Sequence, residues 1–217
     1  MLFTDRYPAV TSALHFSVSL RMRNTPGRPK CFSPPRGAWR ATTGLAALVA
    51  VALLSACSPA LDWRDVRPKD VNILLTYPCK PEQIAQDVVL ADQKIKMSMT
   101  GCVADKMTFA LAHARLPSPA LAARALAQLH QAAIDNVRGR VTASSAAVLK
   151  NATPGLPDSL DLKIDGQAPD GKAVRERVLL FSQGNDVYQV TAFAPTDTFK
   201  DEAAQTFADS VNLSPSR

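Results

Sequence analysis

Met97, Met99, Cys102, Met107 and His113 bring thioether, thiol and imidazole donors into one short stretch, the donor types that suit a soft metal such as Cu(I). Met97 and Met99 also share the alternating phase of Ile95, where methionine is ordinary core filler, and that packing role is the preferred reading. His113 falls in phase with Phe109 and Leu111, and His130 follows Leu126 by one helical turn, so both are expected to be partly buried. Acid–base catalysis at either would need a nucleophile, an orienting partner and an oxyanion site. The chain has no Gly-x-Ser-x-Gly, no His-Glu-x-x-His and no phosphate-cradling glycine loop, and no residue is assigned a catalytic role. Asp158, Asp161, Asp165 and Asp170 could supply oxygens to calcium. Pro157, Leu162, Ile164 and Pro169 interrupt them, and alternation puts Asp161 and Asp165 on a solvent face, within reach of Lys172, Arg175 and Arg177.

The elements that carry these residues follow from periodicity. Val71, Ile73, Leu75 and Tyr77 alternate up to Pro78 and predict a first strand, with a second short one at 86–90. Residues 94–100 alternate without a fault, as a half-buried antiparallel strand does, and 107–114 repeat the habit, giving a meander. Ser118 and Pro119 open a helix whose inner stripe is Leu126, Leu129, Ala133 and Val137, with Gly139 as its stop. Residues 141–149 form either a strand or an irregular crossing. Strand-like runs at 160–164, 173–182 and 187–194 are joined by turns at Pro169-Asp170-Gly171 and Gln183-Gly184-Asn185-Asp186. After Pro195, the acids Asp197, Asp201 and Glu202 suit a helix N-terminus, and Phe199, Ala203, Phe207 and Val211 give that helix one apolar face.

The N-terminal part has a different character. Arg36 and Arg40 precede an apolar run over 44–56 that is too short for a membrane-spanning helix of about 20 residues. It ends in Leu54-Ser55-Ala56-Cys57, small residues before a cysteine. This layout resembles a bacterial lipoprotein signal peptide. The resemblance implies diacylglyceryl on the Cys57 thiol and cleavage before it, so residues 1–56 are read as a signal segment, with Met22 as an alternative start. Residues 57–70, polar and broken by Pro59 and Pro68, then form a lipidated tether, with Trp63 starting the fold or resting at the lipid interface. Ser58 stands where enteric lipoproteins retained at the inner membrane carry aspartate, which favours the periplasmic face of the outer membrane.

Removing that segment changes the charge. The chain carries 25 Lys and Arg against 19 Asp and Glu, a net charge of +6. Residues 1–56 hold Arg6, Arg21, Arg23, Arg28, Lys30, Arg36 and Arg40 against Asp5, which accounts for the whole excess. The remainder is balanced and evenly mixed, so it has no field to steer nucleic acid, which is excluded as a partner. Of the four cysteines, Cys31 leaves with the signal segment and Cys57 takes lipid. Cys79 and Cys102 remain to form a disulfide in an oxidising periplasm, contributing roughly 3 kcal/mol by closing the loop between them.

Strands, helix, strands, helix over 71–213 is expected to make a single α+β domain, an antiparallel sheet with two helices packed on it. With its tether, central meander and closing Phe207-Ala208-Asp209-Ser210-Val211-Asn212-Leu213, the domain resembles the PsbP-like and DcrB-like α/β sandwich group. That resemblance implies an accessory protein at a membrane, without catalytic residues or cofactor. The expected role is a non-catalytic binding or assembly module, bound to the membrane through Cys57 and to an envelope protein through an open sheet face. The alternatives are a periplasmic copper or small-ligand carrier using Met97, Met99 and His113, and a hydrolase using His113.

Overall fold

A computed structural model describes residues 61–215. A short strand β1 (Arg64–Val66) comes first, and the period-two patterns become β2 (Ile73–Tyr77), β3 (Glu82–Leu90), β4 (Gln93–Ala104) and β5 (Met107–Arg115). A 3-10 turn (Pro119–Leu121) leads into α1 (Ala122–Asn136). Strands β6 (Arg140–Ala146), β7 (Leu160–Gln167), β8 (Ala173–Gln183) and β9 (Asp186–Pro195) follow, then α2 (Asp201–Asp209) and a short β10 (Asn212–Leu213). The fold is α+β, mostly antiparallel sheet with two helices. A seven-stranded sheet runs β3-β4-β5-β9-β8-β7-β6, and a three-stranded one runs β1-β2-β10.

The register assigns each residue of the large sheet to a face. Phe109 pairs with Ala192, and Phe181 with Tyr188, placing these side chains on one face. There they bury a core with Ile73, Leu75 and Tyr77 of β2 and Ala203, Ala204 and Phe207 of α2. Phe207 meets Tyr77 and Phe109 edge-on, with ring centroids 5.0 and 5.3 Å away. Met97, Met99, Val178, Leu180, Leu162 and Ile164 occupy the opposite face, which α1 covers with the buried stripe Leu126, Leu129, Ala133 and Val137.

The tight turns of the meander are type I′ in conformation. Ala91 and Asp92 link β3 to β4 with φ of 51° and 60°, and Asp105 and Lys106 link β4 to β5 with φ of 49° and 64°. Ser118 and Pro119 open the 3-10 turn that precedes α1, with Ser118 Oγ accepting from the Ala120 N–H at 3.3 Å. The end of α1 differs by one residue. Arg138 takes the left-handed conformation (φ 44°), and the Gly139 N–H returns to the Ile134 carbonyl at 2.9 Å in a Schellman-type closure. Gly139 is required for space instead, because a β-carbon there would stand 2.7 Å from Ile164 Cγ2.

Other departures come from pairing that the local pattern does not encode. Residues 61–70 also make contacts with the sheet: β1 pairs with β2, Asp62 N–H bonds to the Pro78 carbonyl, and Trp63 meets Phe109 at 6.2 Å. Strand β3 starts four residues before Gln86, and β4 continues through Gly101 and Cys102. Residues 140–146 are an edge strand, and the chain closes with Leu213 opposite Ile73. The face of β7 assigned to solvent is half-covered by α2. Asp161 pairs with Arg177 at 2.6 Å, and Arg177, only 7% exposed, also donates to Gln205 of α2. Asp165 pairs with Arg175 at 2.7 Å, which holds its carboxyl below the usual range, and Asp201 reaches Lys163 at 3.0 Å.

Candidate functional site

The polar cluster on the β2 and α2 side of the large sheet is built by adjacency of β4, β5 and β9. Ser98 pairs with His113, and His113 with Tyr188. His113 Nε2 lies 2.8 Å from Asp186 Oδ1 and donates to it, leaving Nδ1 facing the Ser98 hydroxyl at 3.4 Å. Arg115 clamps the same carboxylate, with Nε 2.9 Å from Oδ1 and Nη2 3.1 Å from Oδ2. Burial pushes the Asp186 carboxyl up, but hydrogen bonds from His113 and Arg115 outweigh it, and its pKa falls below the ordinary value. Tyr188 stacks on Phe181 at 4.9 Å and lies 5.1 Å from His113. Its hydroxyl is buried without a hydrogen-bond partner among the described residues, and burial, then the Asp186 charge, raise its pKa.

Serine, histidine and aspartate in contact invite comparison with a nucleophilic triad. The Ser98 hydroxyl is divided between Nδ1 and the backbone carbonyl of His113, both at 3.4 Å. Asp186 is already shared with a guanidinium, which weakens its support of an imidazolium. Strand β4 is paired on both sides through this region, so its backbone N–H groups are spent in ladders and not aimed at an oxyanion. In this arrangement a half-buried acid ties the end of β5 to the start of β9.

The candidate soft-metal donors are separated by the sheet. Met97 and Met99 pair with Ala114 and Ala112 on the α1 side, buried to 2% and 8% exposure. His113, Cys102 and Met107 fall on the other face, where the Met107 sulfur accepts from the Lys200 N–H at 3.3 Å. Among the described residues no group of three or more His, Cys, Asp or Glu side chains is placed to hold a metal ion. Cys102 is joined to Cys79, with Cα atoms 6.1 Å apart, so the link before β3 is stapled to β4. Cys57 lies outside the described residues.

The other candidates find partners of their own. His130 Nδ1 is 2.8 Å from Asp158 Oδ1, pinning the β6–β7 loop to α1, and Asp170 pairs with Lys172 at 3.0 Å. The aspartates therefore do not converge.

Two features were not anticipated from sequence. Asp186 was read only as part of a turn. Glu176 of β8 lies on the α1 side between Ile164 and Phe193, is 6% exposed, and meets no hydrogen-bond or ion-pair partner among the described residues. Burial pushes its carboxyl up to about 8. The available signal was a lone acid at an apolar phase of Val174-Arg175-Glu176-Arg177-Val178. On the same face, α1 leaves part of β3, β4, β5 and β9 uncovered: Ile84 is 55% and Val103 38% exposed, beside half-buried Gly101, Ala110 and Phe193. No protein-family model matches the chain, and no curated protein matches it.

Proposed function

We propose that this protein is an envelope lipoprotein, lipidated on Cys57 and held at the periplasmic face of a membrane, with the outer membrane favoured, whose PsbP-like α/β sandwich domain serves as a non-catalytic binding or assembly module. The observation that carries the binding role is the uncovered part of the α1-side sheet face, where Ile84 and Val103 are exposed beside Ala110 and Phe193. The Cys79–Cys102 disulfide supports an oxidising compartment. The hydrogen-bond contacts of His113 with Asp186 and of His130 with Asp158 support a structural use of both histidines.

A photo-crosslinking residue placed at Ile84 or Val103 in living cells, with Arg124 on the outer surface of α1 as control, tests this reading. The expected result is one discrete envelope-protein adduct from positions 84 and 103 and none from 124, on a chain whose mass shows lipid at Cys57. Equal labelling from 124, or no adduct from the sheet face, overturns the binding role. An unlipidated chain retaining residues before Cys57 overturns the anchoring.

A further inference from the structure

We propose that β6 is a self-association edge: two copies of this chain pair antiparallel through β6 and join their seven-stranded sheets into one. The argument begins with the contrast between the sheet's two edges. A lone edge strand presents unpaired N–H and C=O groups that another extended backbone can match, and proteins defend such edges with charge, proline or a covering loop. Strand β3 is defended. Glu82 and Asp87 place carboxylates on it, and Gln83 is bonded in both directions to the backbone of Lys69, at 3.1 and 3.2 Å, so the β1–β2 link lies across that edge.

Strand β6 carries a single charge, Arg140 at its start, and no proline. All seven of its residues are exposed, and from Val141 to Leu149 there is neither a charged residue nor a proline. From Thr142 to Ala147 the side chains are those of Thr, Ala and Ser, small enough on both faces to admit a neighbouring strand. A bulge between Val141 and Ala143 kinks its beginning, but Ala143–Ala146 pair regularly with β7, and the bond from the Ala147 N–H to the Ser159 carbonyl (2.9 Å) continues the ladder.

Symmetry selects the register. A two-fold axis normal to the sheet brings edge to edge, reverses the strand and keeps the faces aligned, so one residue must pair with its own copy. The midpoint of the regular stretch is Ser145, which places Ala143 opposite Ala147 and Ser144 opposite Ala146. The two Arg140 side chains then lie at opposite ends of the ladder. In this register Val148, 92% exposed, lies opposite Thr142 of the other copy, and Val141, 37% exposed, lies opposite its Leu149. These are two of the four large apolar side chains exposed among the described residues, and this pairing gives both a neighbour.

Sedimentation of the protein purified from its own cells, in density-matched detergent, reads the oligomeric state. Twice the chain mass is expected. Ser145→Cys should form a disulfide between copies that peptide mapping assigns to position 145, while Ala85→Cys on the β3 edge should not. Ser145→Lys and Ser145→Glu should each give the single-chain mass at an unchanged melting temperature, and their mixture should restore the double mass. A wild-type chain of single mass, no Ser145→Cys linkage, or linkage through Ala85→Cys overturns the proposal. If the charged variants do not fold, the cysteine result alone decides. Association through β6 does not depend on lipid at Cys57, so either reading can fail without the other.

Discussion

Gly166 lies against the end of α1 so closely that a β-carbon on it would stand 2.2 Å from the carbonyl oxygen of Val137. That carbonyl also accepts from the Gln167 N–H at 2.6 Å, so β7 and the helix terminus are joined through main chain alone. Gly166→Ala should therefore force the two apart and cost about 1–3 kcal/mol or more, measured by denaturant unfolding. Gly155→Ala is the comparison, since a β-carbon there has nothing within 4 Å and carries only the strain of φ 76°.

Lys106 occupies a left-handed position, φ 64°, with an exposed side chain at the second place of the β4–β5 turn. Glycine adopts that conformation without a β-carbon clash, and Asp-Gly is a favoured pair in this turn type. Lys106→Gly should raise stability by about 0.5–1 kcal/mol, visible as a higher melting temperature.

The Cys79–Cys102 bond constrains the unfolded chain across a separation of 23 residues. Reduction, or the paired Cys79→Ala and Cys102→Ala substitutions, should lower stability by about 3 kcal/mol. An equal unfolding midpoint with and without reductant would contradict this.

Asp186 accepts from both His113 and Arg115, and its folded pKa lies below the ordinary carboxylate value. Its contribution is therefore complete above the unfolded pKa, near 4, and is lost as pH falls through the lower folded value. Asp186→Asn should cost about 2–3 kcal/mol at neutral pH and flatten the acid limb of the stability profile. Thermal melts across the acid range read both effects.

Glu176 behaves in the opposite sense. With a folded pKa of about 8 against an ordinary 4.5, the folded protein keeps a proton that the unfolded chain releases, so stability falls as pH rises between those values and levels off above 8. The slope for one proton is about 1.4 kcal/mol per pH unit. Glu176→Gln should remove it, leaving the variant more stable than wild type at pH 8 and nearly equal near pH 5. Parallel slopes in the two proteins would refute the assignment.

Much of the fold is legible because strands and helices declare themselves locally. Ile73, Leu75 and Tyr77, the run 94–100, and the spacing of Ala203 and Phe207 all report burial through near neighbours in sequence. The turns at Ala91-Asp92 and Asp105-Lys106 escaped because neither has the glycine that marks such turns; the ladders on either side hold these residues in left-handed conformations. The candidate site was only half visible. His113 could be read as a buried histidine, but its acid lies 73 residues further on and comes into contact only because β9 inserts beside β5.

By itself, then, the sequence determined which segments alternate, which two cysteines were left to pair in the domain, and which helix faces turn inward, since these follow from periodicity and residue type. Strand order was decided by the tertiary structure. It separated Met97 and Met99 from His113 across the sheet, buried Arg177 beneath α2, enclosed Glu176 without a partner among the described residues and left β6 at an edge. Alternation specifies that a residue faces one side of a sheet, but what meets it there depends on which distant strand or helix packs alongside.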